Sequence, residues 1–212
     1  FIILACNDPA SKVYSSQASL TSEEGLFLDS LRMPEGFHME VYGRVDNARS
    51  MAMSPDGTLF VGNKANGSVY ALQDRNNDMK ADTSYTIAKD LIMPNGIAFK
   101  DGALYVAEID KLWRYDAIED NLYDPKATLI YDDFPEDSHH GWKYIAFGPD
   151  GKLYVPVGAP CNVCETKDDT YYASIISMDA DGANRQIVAK GVRNTVGLTW
   201  HPITGEMWFT DN

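Results

Sequence analysis

Residues 51–61 read MAMSPDGTLFV, a short apolar strand followed by a Pro-Asp-Gly turn and a second apolar strand. The same order recurs at 97–106 (IAFKDGALYV), at 145–155 (IAFGPDGKLYV) and at 198–209 (LTWHPITGEMWF). The turn glycines are about 45 to 54 residues apart, which suits units of four strands. Such a unit cannot bury its apolar face alone and must stack on its neighbours, as the blades of a β-propeller do. The sequence therefore predicts an all-β protein with a β-propeller fold.

The two remaining strands of each unit are runs rich in β-branched and aromatic residues, as in sheets. Third strands are predicted at 68–72, 112–115 and 174–178, and outer strands at 85–88, 127–131 and 185–189. The fourth unit ends after its second strand, so about three and a half blades are present. Because propellers have about four to eight blades, we expect this chain to be the N-terminal part of a longer protein.

The first thirty residues differ from the repeats. Residues 1–6, FIILAC, form an apolar run ending in Ala5 and Cys6, as in a bacterial lipoprotein signal before the lipidated cysteine. An ordinary strand with a thiol is the alternative. Residues 7–30 are predicted to be a polar tether and residues 31–212 the partial propeller domain. This organisation predicts an exported protein, in the periplasm or on the outer membrane, attached to the membrane only through a lipid on Cys6.

The chain is acidic, with 18 Lys and Arg against 31 Asp and Glu and a formal net charge of −13 at pH 7. Such a surface would repel nucleic-acid phosphates, so no nucleic-acid partner is expected. No apolar run approaches the length of about eighteen residues that a membrane span requires.

Cys161 and Cys164 are separated by two residues, a spacing found in zinc half-sites, redox pairs, haem attachment sites and disulfides. Haem attachment requires a histidine after the pair, where the chain has Glu165, and the sequence shows no second ligand pair for zinc. In an oxidising compartment, a structural disulfide in the loop 159–170 is the expected state.

Residues 74–82, DRNNDMKAD, carry oxygen side chains at alternate positions, as calcium-binding loops do. Met79 stands where such a loop requires glycine at its sharp turn. A solvated hairpin between two strands explains the run equally well.

His140 and Arg193 occupy the same position in consecutive repeats. When the innermost strands are aligned on Ala146 and Thr199, both residues lie six positions earlier, in the loops that lead toward the central axis. A histidine, with a reference pKa of about 6.5, can accept a proton from a hydroxyl, and a nearby arginine can stabilise developing negative charge. Each residue alone could be structural, but the shared register predicts that both face one end of the channel.

Three further segments read DSHHGWK (137–143), GPDGKLY (148–154) and GVRN (191–194). They resemble the glucose/sorbosone dehydrogenase family of quinoproteins, and most closely its sorbosone dehydrogenase-like branch. The resemblance extends from about Met33 to Asn212. It implies a six-bladed propeller that binds pyrroloquinoline quinone (PQQ) and Ca²⁺ over the central channel. The implied activity is oxidation of an aldose or a sugar aldehyde, with hydride transfer to PQQ and electrons passing to a quinone or a cytochrome.

The resemblance also implies residue roles. His140, eight residues before the Gly-Pro-Asp turn, matches the base that takes the proton from the anomeric hydroxyl, whereas His139 is one position off. Arg193 matches the arginine that polarises the quinone oxygen, and Arg193 with Asn194 matches a pair that contacts the cofactor. The family's calcium ligands belong to a segment that would follow Asn212, so no metal ligand is predicted within this chain.

A different class of propeller enzyme is the alternative. Residues 93–99, MPNGIAF, resemble metal-dependent lactonases of the gluconolactonase type, which hydrolyse sugar lactones with metal-activated water. Asn95 and Asp211 would then be ligands of one divalent ion, and His140 would have no chemical role. A noncatalytic propeller that serves as a binding module is a third interpretation, since the repeats alone do not specify an activity.

Overall fold

The computed structural model describes residues 2–6, 28–165 and 171–212, and within these ranges the regular secondary structure is almost entirely β-strand. Strands β1 (Ile2–Cys6) and β2 (Phe37–Val41) form a two-stranded antiparallel sheet. The predicted lipoprotein signal therefore includes a strand, and its assignment stays a prediction. The predicted tether lies mostly outside the described residues. No helix in the described ranges is long and apolar enough to cross a membrane.

Three four-stranded sheets and one two-stranded sheet follow, and in each the strands pair antiparallel in chain order. The first blade comprises β3 (Ala48–Met53), β4 (Leu59–Asn63), β5 (Val69–Gln73) and β6 (Thr83–Ala88). The second comprises β7 (Gly96–Lys100), β8 (Ala103–Ala107), β9 (Leu112–Tyr115) and β10 (Ala127–Tyr131). The third comprises β11 (Ala146–Phe147), β12 (Leu153–Val157), β13 (Ser174–Met178) and β14 (Gln186–Lys190). The fourth contains β15 (Leu198–Trp200) and β16 (Met207–Phe209).

The repeated sequence unit is the inner hairpin of each blade. Ala52 pairs with Phe60 in the first blade, and Ala98 pairs with Tyr105 in the second. Strand boundaries fall within two or three residues of those expected, and short 3-10 helices lie at Leu28–Ser30 and Ile118–Asn121. The predicted all-β propeller with about three and a half blades is therefore confirmed.

The core lies between neighbouring blades. Strands β4, β8 and β13 are buried at every position, whereas the inner strand β3 alternates between partly buried and exposed residues. Phe60 of the first blade packs in one apolar cluster with Leu104 and Val106 of the second. A strand covered on both faces is mostly apolar, which explains the sequences LFVGN, ALYVA and SIISM.

Gly62 allows the first blade to touch the loop that leads into the second. A Cβ added at Gly62 would lie 2.6 Å from the carbonyl oxygen of Asn95 and 2.8 Å from that of Pro94. The next residue, Asn63, donates its backbone N–H to Pro94 at 3.0 Å. Since a real Cβ atom does not approach backbone oxygen so closely, glycine is required for this backbone contact between blades.

Replacing Leu104 by alanine tests whether packing between neighbouring blades provides most of the free energy of folding. Leu104 is fully buried, so Leu104→Ala is expected to lower the free energy of unfolding by about 2 to 5 kcal/mol through the cavity it leaves. Denaturant unfolding of the full-length protein measures this change. Leu129→Ala, in the outer strand β10 and 41% exposed, is the matched control and should cost about 1 kcal/mol or less. Equal losses in both variants would contradict the stacked-blade account.

Candidate functional site

One end of the propeller collects the loops that carry the predicted site residues. Because antiparallel strands reverse direction at each turn, every loop from an outer strand to the next inner strand lies at the same end. The loops from second to third strands lie there too. We call this the site end; it comprises residues 46–47, 64–68, 89–95, 108–111, 132–145, 158–165, 191–197 and 210–212.

His140 is held in one ring orientation. Its partly buried imidazole places Nδ1 2.9 Å from the carbonyl oxygen of Ala159. A carbonyl oxygen only accepts hydrogen bonds, so Nδ1 carries the hydrogen and Nε2 of the neutral ring keeps its lone pair. The φ of His140 is 53°, a left-handed conformation that costs a non-glycine residue about 1–2 kcal/mol. Strained backbone of this kind is typical of functional sites.

Gly158 packs directly against His140. A Cβ added at Gly158 would lie 2.5 Å from the Cβ of His140 and would also clash with its carbonyl oxygen. Gly158 follows β12 immediately, so the second strand of the third blade ends where the His140 turn must fit. Only a residue without a side chain leaves that space.

Arg193 meets His140 through Ala159. The N–H of Ala159 donates to the carbonyl oxygen of Arg193 at 2.8 Å, while the Ala159 carbonyl accepts the Nδ1–H of His140. The Arg193 side chain is exposed, and its Nε donates to the carbonyl oxygen of Asn212. The structure thus brings the two predicted loops to one residue, and it holds the guanidinium beside Asn212.

Two other predicted residues, Asn95 and Asp211, are engaged with protein atoms. Asn95 is 1% exposed and its Nδ2 donates to the carbonyl oxygen of Lys143 at 2.6 Å, whereas its Oδ1 has no hydrogen-bond partner among the described residues. Oδ1 of Asp211 accepts the backbone N–H of the buried Asn194 at 2.9 Å. In the described ranges, no group of three or more His, Cys, Asp or Glu side chains is arranged to hold a metal ion.

His139 and the cysteine pair lie beside His140. Cys161 and Cys164 form a disulfide, which confirms that prediction. The exposed His139 ring places Nε2 3.1 Å from Oδ1 of Asn162, within the disulfide loop. The centroids of the His139 and His140 rings are 4.0 Å apart.

The 74–82 run joins β5 to β6 at the opposite end of the propeller. Its carboxylates accept backbone N–H groups of the same loop: Asp74 from Met79 at 2.9 Å, and Asp82 from Arg75 at 2.7 Å. These bonds are typical of a tight polar hairpin between two strands, which is the alternative to a calcium-binding loop for this run.

Lys143 is a residue that sequence reasoning missed. Its side chain is almost completely buried, and Nζ donates to the carbonyl oxygen of Gly141 and lies 5.5 Å from the centre of the Phe134 ring. Burial lowers the pKa of Lys143 to about 7, against the smaller opposing effect of the Asp110 carboxylate. The only signal in the sequence is a lysine set between Trp142 and a tyrosine, just before an apolar strand.

Trp142 joins two cations at the site end. The Arg49 Cζ lies 4.3 Å and the Lys64 Nζ 5.2 Å from the centre of its ring. The cations belong to the first blade and Trp142 to the loop into the third, so this cluster connects blades that are not neighbours. Within the part of the chain that the structure describes, neither cation has a carboxylate partner. The cluster therefore gives this end of an acidic protein an aromatic surface with positive charge.

Gly158→Ala should displace His140. The added methyl group cannot be accommodated without moving the His140 turn, so we expect a loss of about 1–3 kcal/mol in unfolding free energy and a broken bond between His140 and Ala159. Thermal unfolding and a crystal structure of the variant measure the two effects. Gly197→Ala is the matched control, because the nearest atom to its added Cβ is 3.9 Å away. A Gly158→Ala protein with unchanged stability and an intact bond would refute the steric argument.

The buried amine of Lys143 should make stability depend on pH. Its pKa falls from 10.5 to about 7 on folding, so between these values the unfolded chain binds more protons and stability rises with pH. Relative to Lys143→Met, the full-length wild type should therefore become more stable from pH 7 to pH 9, by up to about 1.4 kcal/mol per pH unit. Urea unfolding of both proteins across this range measures the difference. Parallel stability curves would show that Lys143 is not buried as an amine.

Solved structures share this fold. A structure with calcium of the Trichoderma reesei protein from carbohydrate-active enzyme family AA12 matches with a TM-score of 0.66 and 18% identity, over 78% of this chain and 46% of that one. The PQQ-bound aldose sugar dehydrogenase of Streptomyces coelicolor matches with a TM-score of 0.60 and 19% identity, over 79% of this chain and 57% of that one. At these identities the likeness establishes the β-propeller fold alone.

A curated relative and a family model match the sequence itself. An uncharacterized protein of Borreliella burgdorferi is 28% identical over 93% of this chain and 52% of its own length, so the chain spans about half of that relative. The family model described as "Domain of unknown function (DUF7133)" matches residues 23–212. Because this match includes every blade, the chain belongs to the DUF7133 family.

Proposed function

We propose that the chain is part of an exported quinoprotein oxidoreductase that oxidises an aldose or a sugar aldehyde, sorbosone-like or glucose-like. His140 is the general base in this proposal, and Arg193 stabilises the quinone oxygen. The fold shared with the PQQ-bound aldose sugar dehydrogenase of Streptomyces coelicolor and the dehydrogenase-like motifs around His140 and Arg193 support the reaction class.

The observation that carries the proposal is the hydrogen bond between His140 and Ala159. Because Nδ1 donates to a backbone carbonyl, Nε2 is the free proton acceptor of the neutral ring. When Nε2 takes a proton from a sugar hydroxyl, the ring becomes positive, and the Ala159 carbonyl stabilises that charge through the same bond. The backbone of the site therefore orients the base and stabilises its protonated form.

The residues at the site end fit PQQ, a planar anionic quinone. Arg193 carries an exposed guanidinium there, and Trp142 with Arg49 and Lys64 offers an aromatic face and two cations, which suit a flat molecule with carboxylates. We assign Arg193 and Asn194 to cofactor contact. When bound, PQQ supplies the electrophile that accepts hydride from the sugar carbon. The positive charge of Arg193 would stabilise the negative charge that this transfer creates.

The remaining parts of the proposal concern the whole protein. Ca²⁺ would position the cofactor with ligands beyond Asn212, and electrons would leave to a quinone or a cytochrome. Export to the periplasm or the outer membrane, with a lipid on Cys6, follows from the apolar run at residues 1–6. No step assigned to His140 depends on the calcium site or on the anchor.

Dye reduction by the full-length protein tests the proposal. The protein without its lipid is loaded with PQQ and Ca²⁺ and assayed across a sugar panel, with PQQ affinity measured separately by calorimetry. His140→Ala should lower sugar-dependent reduction about 100-fold or more while PQQ still binds, because a general base contributes about that much. His139→Ala is the matched control: it removes an exposed neighbouring imidazole and should keep most of the activity.

Other outcomes reassign the function. If PQQ does not bind and lactone hydrolysis appears on adding a divalent metal, the protein is a lactonase of the gluconolactonase type. The buried and unpartnered Oδ1 of Asn95 would then be the first ligand to test. If neither activity appears, the noncatalytic binding module becomes the better interpretation.

A further inference from the structure

Lys143 is a buried amine that contacts no carboxylate among the described residues. Its side chain is 1% exposed, the hydrogen bond of Nζ goes to the Gly141 carbonyl, and the Phe134 ring covers it. Asp110 is the charged group that acts on it electrostatically, and that carboxylate is paired with Lys111 at 2.6 Å. Burial removes the hydration of this polar amine and disfavours its charged form, whereas a methionine would fill the same space without that cost. The lysine therefore needs a role besides packing.

The bond made by Lys143 acts on the turn that carries His140. Gly141 follows His140 directly, and its N–H also closes the turn by donating to Ser138 at 3.2 Å. Gly141 is therefore fixed at its N–H by the turn and at its carbonyl by Lys143. These two bonds oppose relaxation of the left-handed backbone of His140.

The main chain of Lys143 is fixed as well. Its carbonyl oxygen accepts the Nδ2–H of Asn95, which is buried at the start of the second blade. Lys143 is thus bound to a rigid part of the core at its backbone and to the His140 turn at its amine. Lys143 therefore links the second blade to the turn that leads into the third.

We propose that Lys143 is a positioning residue for His140. Its amine holds the Gly141 carbonyl, and the turn then presents Nδ1–H of His140 to Ala159 and leaves Nε2 open toward the substrate. This inference rests on the proposed role of His140 as the base. It predicts a ring tautomer, however, that can be measured in the absence of any activity.

The test is nitrogen NMR of histidine-labelled full-length protein at pH 8, with His140 assigned by comparison with His140→Ala. In the wild type, His140 should be the Nδ1–H tautomer. In Lys143→Met, which keeps the apolar volume but removes the donor, at least half of the ring population should change to the Nε2–H form. Lys143→Gln keeps a neutral N–H donor and should restore part of the Nδ1–H signal. Lys126→Met, which removes an exposed lysine paired with Asp124, is the matched control and should leave His140 unchanged.

Loss of the tautomer in Lys143→Met with partial recovery in Lys143→Gln supports the proposal. An unchanged His140 tautomer in a folded Lys143→Met protein overturns it, because the lysine would then serve packing alone. The proposal is also overturned if His140 of the wild type shows the Nε2–H form. This measurement remains decisive even if Lys143→Met does not fold.

Kinetics of the PQQ-loaded enzyme provide the second measurement. Lys143→Met should lower kcat at least tenfold with KM for the sugar changed less than threefold, since the base is misplaced and sugar contacts remain. If Lys143→Met instead lowers only the amount of active enzyme, and kcat per active site stays normal, the lysine is purely structural and the proposal is overturned. If the wild type reduces no dye, the proposed function fails, whereas the NMR result still decides the role of Lys143.

Discussion

The burial of the middle strands on both faces is the constraint on which the rest of the structure depends. Every position of β4, β8 and β13 is buried, so each of these strands must be covered on both faces, by a neighbouring blade or, at β4, also by the segment around Tyr42. The stacking that satisfies this requirement also sets the direction in which the antiparallel strands of each blade run. Loops from successive blades must then meet at one end, and the candidate site is a consequence of that arrangement.

At this end the polypeptide backbone, more than side-chain pairing, organises the chemistry. The carbonyl of Ala159 selects the ring nitrogen of His140 that carries hydrogen, and the N–H of Ala159 fixes Arg193. Ala159 lies two residues after β12, so the orientation of the base follows the end of that strand. Sites supported by strand ends in this way hold their geometry better than sites on free loops.

The site end buries several polar groups. Glu108 is 3% exposed and accepts hydrogen bonds from the Trp113 indole and the Ile92 backbone, while Asn95 and Lys143 bond to main-chain oxygen. Each such group loses its hydration and needs a specific partner, which reduces the number of alternative arrangements of these loops. The opposite end also buries polar side chains: Thr58, 1% exposed, donates to Glu119 of the second blade at 2.7 Å.

The sequence by itself determined the blades and the common location of His140 and Arg193. Apolar alternation and turn residues are local signals. Residues at equivalent positions of a sequence repeat lie at equivalent places in successive blades. It did not reveal the buried amine of Lys143, the contact of Arg49 with Trp142, or the nitrogen of His140 that stays free. Those features depend on groups brought together from different blades, and only the stacking of the sheets decides which of them touch. A sequence does not distinguish an exposed lysine from a buried one. The pKa and the role of a lysine depend on its surroundings, which only the tertiary structure defines.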